Sequence, residues 1–214
     1  MSIANNPCEA VADSDIFYAN PKPVRRRAVL IPPQDECFQL LQKVEMPDHI
    51  QDHSRLVCRL ALVLTDGLID AGVDVNRNLV RASALLHDIT KPRSFKTGEN
   101  HAQTGGDYLA ELGFPEVGDI VRQHVQLDHY FAADIPDEAE VVNYADKRVL
   151  HDHIVPLDDR MAYILERYAK TQRHRELLNT LWEDTRILEK RLFSYLDFHP
   201  DIIPPALLAA ALPS

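Results

Sequence analysis

Ala84-Leu85-Leu86-His87-Asp88-Ile89-Thr90-Lys91 is the stretch from which both fold and chemistry can be read. It ends an apolar helical run on an imidazole and a carboxylate placed side by side. Burying such groups beside Leu85 and Leu86 costs several kcal/mol unless something compensates them. A divalent metal ion is the strongest compensator available, so the rest of the chain is read for residues that could reach one.

Upstream, residues 47–71 carry Leu56, Val57, Leu60 and Leu64 at helical spacing, with His53 on the same stripe. Gly72 suits the C-terminal cap of that helix. Asp74 is the expected N-cap of the next, which runs to His87-Asp88 with Val80 and Ala84 on the face of His87. Further upstream, residues 35–44 form a short helix closed by Pro47. Residues 1–33, with Pro7, Pro21, Pro23, Pro32 and Pro33, read as an extended or poorly ordered arm.

Downstream, Lys91-Pro92 opens a polar connection to Asn100. Asn100 and Gln103 resemble a capping box, which puts His101 in the first turn of a helix ending at Gly113. Pro115 suits the first turn of another, whose stripe Val117, Ile120 and Val121 leads to His124. Residues 134–140 are an acidic helix start. That helix is expected to carry Val142, Asp146, Val149 and Leu150 on one face. Two more helices follow, over 157–169 and 172–196, the second with Leu177, Leu181, Leu188, Leu192 and Tyr195 as its buried stripe. The tail from Pro204 to Leu212 has a short apolar turn that suits docking on the core. No strand-like alternation persists, so the fold is expected to be all-α: one domain over 34–214, a metal-site core at about 47–155 and C-terminal helices at 156–214.

His53, His87 with Asp88, His101, His124 and Asp146 thus sit on or beside apolar faces of successive helices. Ligands projecting from separate helices into one bundle interior are an established way to hold a metal. Nitrogen and carboxylate donors suit manganese, iron, cobalt, nickel or zinc, as one ion or two, with magnesium also compatible. Each residue alone has a plainer reading. A single His on an apolar stripe is more often a hydrogen-bonded core residue, and a lysine such as Lys91 can simply answer a helix dipole. His129, His151, His153, His174 and His199 read as surface groups. Arg122, Lys147 and Arg148 read as solvated charges.

The ordered set His, His-Asp, His, His, Asp resembles the HD-domain superfamily of metal-dependent phosphohydrolases. The likeness runs over about residues 47–155 and includes Ile50-Gln51-Asp52-His53-Ser54 and Asn143-Tyr144-Ala145-Asp146-Lys147. It implies a helical bundle with a metal site inside. By this resemblance His53, His87, Asp88 and Asp146 correspond to the ligands of one metal. Asp88 bridges where a second ion binds, and His101 and His124 correspond to the added ligands of two-metal members. Lys91 stands where the His-Asp-Ile-Gly-Lys members have their lysine, with Thr90 in place of the glycine. Asp88 and Lys91 are the expected catalytic residues, and Lys91 the expected substrate contact. The Gly-Tyr-Pro motif of cyclic-dinucleotide phosphodiesterases is absent, as is the Glu-Asp that follows the pair in stringent-response hydrolases. Stand-alone HD proteins, such as hydrolases of diadenosine tetraphosphate, resemble the chain more.

The implied activity is hydrolysis of a phosphate ester or anhydride in a nucleotide or other small phosphorylated molecule. A di-iron oxygenase and a non-catalytic metal- or nucleotide-binding module share the scaffold and stay open as alternatives. A formal charge of −10 argues against nucleic-acid and anionic-lipid partners. Cys8, Cys37 and Cys58 show no paired spacing, and no apolar run reaches membrane-spanning length, which together fit a cytoplasmic protein. The stripe around Leu181 and Leu192 also offers a surface for a homodimer, although packing on its own core is the simpler use.

Overall fold

The computed structural model describes residues 29–131 and 134–203. The expected arm over 1–28, with its arginine triplet, and the apolar turn after residue 203 lie outside the described residues. The fold is all-α, as the periodicities require. Helix α1 (Gln34–Lys43) follows Pro33 and has Asp35 and Glu36 in its first turn, where the dipole favours acids. Helix α2 (Asp48–Asp70) starts after Pro47 and buries Val57, Leu60, Leu64 and Leu68. Gly72, at φ 86°, turns the chain out of it. Helix α3 (Arg77–Leu86) is capped by Asn76, whose side chain accepts from the amides of Asn78 and Leu79. Asp74 is therefore not the cap; the amide side chain two residues later is the one in reach.

Helix α3 ends just before the pair that defines the chain. The Ile89 and Lys91 amides bond three residues back, to Leu86 and Asp88, which tightens the turn and points His87 and Asp88 inward. The expected connection after Lys91 instead holds a short helix, α4 (Lys91–Thr97), with Pro92 in its first turn and Gly98 at φ 72° closing it. Helix α5 (His101–Glu111) is capped by Asn100, and α6 (Pro115–Arg122) opens on its proline. The capping box is half formed: Gln103 bonds Asp107 and does not reach back to Asn100.

Helix α7 (Glu138–Arg148) is capped by Asp137 and stops short of Val149 and Leu150. Those two residues form strand β1 (Val149–Leu150), paired antiparallel with β2 (His153–Ile154). The tight turn between them places His151 at φ 58° and aims its carbonyl at α2. Helices α8 (Leu157–Tyr168) and α9 (Gln172–Phe193) complete the described chain. Leu188 and Leu192 are buried as expected, but Leu177 is 61% exposed. The ties of α9 to α7 gather in its second half, at Glu189 and Arg191, so the first half has less to pack against. Among the described residues no helix is long and apolar enough to cross a membrane.

Helix α2 packs on α3 and α7, while α5 and α6 form a close pair set against α3. That pair depends on two glycines. A Cβ on Gly106 would lie 2.7 Å from the Gly118 carbonyl oxygen, and a Cβ on Gly118 would run into the Gly106 carbonyl. The contact sets the distance between the helices that carry His101 and lead into His124. Gly118→Ala is expected to cost about 1–3 kcal/mol by overpacking, read by denaturant unfolding, and to weaken metal uptake in the same protein.

Candidate metal centre

The six donors singled out in the sequence converge. His53 Nε2 lies 3.0 Å from Asp146 Oδ1, and His87 Nε2 lies 3.6 Å from the same oxygen. His87 Nε2 is 3.3 Å from Asp88 Oδ2. Asp88 Oδ1 faces His101 Nε2 at 3.3 Å and His124 Nε2 at 3.6 Å, and those two nitrogens are 3.2 Å apart. Asp88 therefore stands between two donor groups, one with His53, His87 and Asp146, the other with His101 and His124.

Local structure fixes which nitrogen each imidazole presents. His87 Nδ1 is 2.8 Å from the Ala84 carbonyl, His124 Nδ1 is bonded to the Val121 carbonyl, and His53 Nδ1 is 3.1 Å from the His151 carbonyl. A carbonyl only accepts, so Nδ1 carries the proton in all three. In the neutral rings Nε2 is then a lone pair, and all three lone pairs turn toward the two aspartates. Metal-bound imidazoles are held by this kind of outer bond. Thr90, where the resemblance expects glycine, has an ordinary φ of −104°. Its hydroxyl donates to the His101 carbonyl at 2.8 Å, tying the first turn of α5 to the His-Asp turn.

The donor set fits a divalent ion. His87 Nε2 and Asp88 Oδ1 are buried with no hydrogen-bond partner among the described residues, which is costly for both atoms. His101 Nε2 and His124 Nε2 face each other at 3.2 Å, where the lone pair of His124 calls for a proton or a cation between the two nitrogens. The separations of 3.0–3.6 Å are close to the donor–donor edges of about 3.3–3.4 Å that tetrahedral metal–nitrogen bonds of about 2.0–2.1 Å give.

Electrostatics point the same way. Burial alone would raise the carboxyl of Asp88, but the charge of His87, the imidazole of His101 and the ammonium of Lys91 beside it hold it well below the usual range. Asp146 is likewise kept ionised against burial by the imidazoles of His53 and His87 beside it. Burial pushes His124 down to about 3, leaving it neutral and able to donate a lone pair. His87 goes the other way: burial opposes its protonation, but Asp88 and Asp146 outweigh burial and raise it.

Lys91 is the first residue of α4, where a helix dipole disfavours a cation, so answering a dipole does not explain it. Its ammonium lies 2.7 Å from Asp88 Oδ2, and that pairing offsets both burial and dipole. Lys147 and Arg148 correct the sequence reading, because both are buried rather than solvated. Lys147 donates to the His124 carbonyl and to Asn143 Oδ1, and Asn143 Nδ2 donates to the same His124 carbonyl. The backbone of His124 is thus pinned from α7. Arg122 pairs with Asp119 and Asp128 at the surface.

A cleft of about 210 Å³ opens onto His53, Asp88 and Lys91. Its outer wall includes residues the sequence reading passed over: His49, Phe95, Arg160, Tyr163, Arg167 and Tyr168. His151, read as a surface group, lines the cleft as well and stacks edge-on to Tyr163. Arg160, Tyr163, Arg167 and Tyr168 are revealed only by the placement of α8 against the site.

Residues 50–149 match the family model of the HD domain. The chain carries an HD domain. The match contains all six donors and stops before α8 and α9. A dihydroneopterin 2',3'-cyclic phosphate phosphodiesterase of Methanocaldococcus jannaschii is 37% identical over 45% of this chain and 44% of its own length. A tRNA (cytidine(56)-2'-O)-methyltransferase of Thermoplasma volcanium is 34% identical over 47% of this chain and 28% of its own. The chain thus spans less than half the length of either relative. The crystal structure of a predicted HD superfamily hydrolase from an uncultured Thermotogales bacterium is 20% identical over 77% of this chain and 93% of that one, with a TM-score of 0.43.

The raised His87 and lowered aspartates set the pH behaviour of the metal-free protein. Stability from His87 is complete below its unfolded value of about 6.5 and is lost as pH rises through the higher folded value. Stability from Asp88 and Asp146 is present above about 3.9 and is lost as pH falls through their lowered values. Metal binding must displace the His87 proton. Titration calorimetry in buffers of differing ionisation enthalpy is expected to show proton release on metal uptake, with affinity rising as pH increases across neutrality.

Proposed function

We propose that the protein is a metal-dependent phosphohydrolase acting on a nucleotide or another small phosphorylated molecule. The observation that carries this reading is Asp88 standing between two donor groups beneath a cleft that also holds Lys91. The phosphodiesterase named among the relatives supports ester hydrolysis as the class of reaction. In this reading His53, His87, Asp88 and Asp146 hold one divalent ion, and Asp88, His101 and His124 form the place for a second. Residues 34–214 act as one unit, with α8 and α9 completing what the HD segment leaves open.

An ion held there supplies acidified water as a nucleophile and draws charge from a phosphoryl oxygen. The protein's own groups do the rest. The carbonyls of Ala84, Val121 and His151 hold the imidazoles in one orientation, so the donors need not reorganise. Asp88 stays anionic throughout and fixes the spacing of the two donor groups. Lys91, 31% exposed and anchored on Asp88, presents a point positive charge to the cleft, where a phosphate oxygen gathers charge during attack. The cleft suits a small phosphorylated molecule, and the formal charge of −10 disfavours a nucleic acid.

Two measurements test the proposal together: elemental analysis of protein purified without added metal, and a screen of phosphate mono- and diesters under several divalent ions. Stoichiometric metal and a released product are expected. Asp88→Asn is expected to lose most of the metal and at least about a hundredfold in turnover. Lys91→Met is expected to keep its metal and lose roughly ten- to a hundredfold in kcat/KM. An Asp88→Asn protein with unchanged metal content and unchanged turnover would overturn the assignment. Oxygen consumption by an iron-loaded protein would point to the oxygenase alternative.

A further inference from the structure

Arg160 is a half-buried cation of α8 whose Nε is buried without an acceptor among the described residues. Several other arginines are matched by acids, Arg77 with Asp66, Arg93 with Glu99, Arg148 with Glu189 and Arg186 with Asp158, whereas Arg59 and Arg81 share the buried Nε without lining the cleft. Arg160 has no such carboxylate among the described residues. Its guanidinium instead lies 5.8 Å from the ring centre of Tyr163 and lines the same cleft as Lys91. It is near enough to Lys91 and Lys147 for its charge to oppose theirs. A further cation with no acid of its own, set beside these two, is unfavourable until an anion arrives.

Aromatic groups frame the same opening. Phe95 is 69% exposed and Tyr168 57% exposed, and both line the cleft with Tyr163. Arg167 lies 6.0 Å from the Tyr163 ring centre and 5.9 Å from that of Tyr168. Exposed rings grouped at a cleft mouth are unusual on a surface with nothing to bind. A planar ring is the partner whose faces they match.

We propose that Arg160 is a specificity-determining residue that binds the substrate's phosphate from α8, while Tyr163, Tyr168 and Phe95 receive an aromatic ring carried next to that phosphate. Arg160 lies beyond the segment matched to the HD domain, at residues 50–149, so this arm is separate from the donor set. A guanidinium suits the task because its planar fork can engage two phosphate oxygens at once. The selected substrates are phosphate esters bearing a flat ring rather than aliphatic ones. This rests on the hydrolase reading for its consequence in turnover, but not for its consequence in binding.

The test uses the full-length, metal-loaded protein and two probes, inorganic phosphate for binding and p-nitrophenyl phosphate for turnover. Arg160→Gln is expected to weaken phosphate binding, read by calorimetry, on the order of tenfold or more, and to raise KM in proportion, with metal content and thermal midpoint unchanged. Arg160→Lys keeps the charge without the fork and is expected to lose less, which serves if the Gln variant unsettles α8. Tyr163→Ala is expected to erase the preference for p-nitrophenyl phosphate over glycerol phosphate. Unaltered phosphate affinity in Arg160→Gln, or no phosphate binding by the unmutated protein, would overturn the inference. Phosphate binding that needs Arg160 in a protein that hydrolyses neither ester would sink the hydrolase reading and leave the anion site standing.

Discussion

A carboxylate buried among imidazoles is the constraint on which this structure turns. Asp88 is almost wholly removed from solvent, yet it stays ionised because His87, His101, His124 and Lys91 surround it. In an apolar bundle such a charge is tolerated only where its neighbours are placed within a few tenths of an ångström. The scaffold can be understood as the means of placing them. Helix α3 tightens at its end, Thr90 ties α5 to that turn, and Lys147 with Asn143 pins His124 from α7.

The imidazoles are handled by one recurring device. A ring that hydrogen-bonds a carbonyl three residues back, as His87 does to Ala84 and His124 to Val121, is oriented by its own chain. His53 lies within α2 rather than just past a helix end, and the β1–β2 turn supplies the carbonyl of His151. The two-residue strands look incidental in a helical protein. Their turn, with His151 at positive φ, nevertheless provides an outer bond to one of the donors.

Much of this was legible in the sequence, because the donors lie on helical stripes and a helix converts spacing directly into direction. His53, His87 and His124 could be aimed inward from Leu56, Val57, Val80, Ala84 and Val121 alone. Caps were readable where an amide side chain opened a helix, as at Asn100, and misread at Asp74, where two acceptors competed and Asn76 prevailed. Helix α4 was missed because Lys91-Pro92 looks like a break, although proline is at home in a first turn. The burial of Lys147 and Arg148 was invisible for a different reason. Besides the neighbours Asn143, Tyr144 and Val155, their partners His124, Glu189 and Pro200 are remote in sequence, and no local pattern reports those. The cleft wall from α8 was lost in the same way.

The Arg148 cluster separates two notions of where a module ends. Arg148 sits at the close of the HD segment, yet its guanidinium is satisfied by Val155, Pro200, Glu189 and the Tyr144 hydroxyl, which itself donates to Glu189. Three of those four acceptors belong to chain that family likeness leaves out. Severing the polypeptide at residue 149 would strand a permanent positive charge at the end of α7, two positions from Asp146. The segment that matches the HD domain therefore leans on later chain to satisfy a charge at its own end.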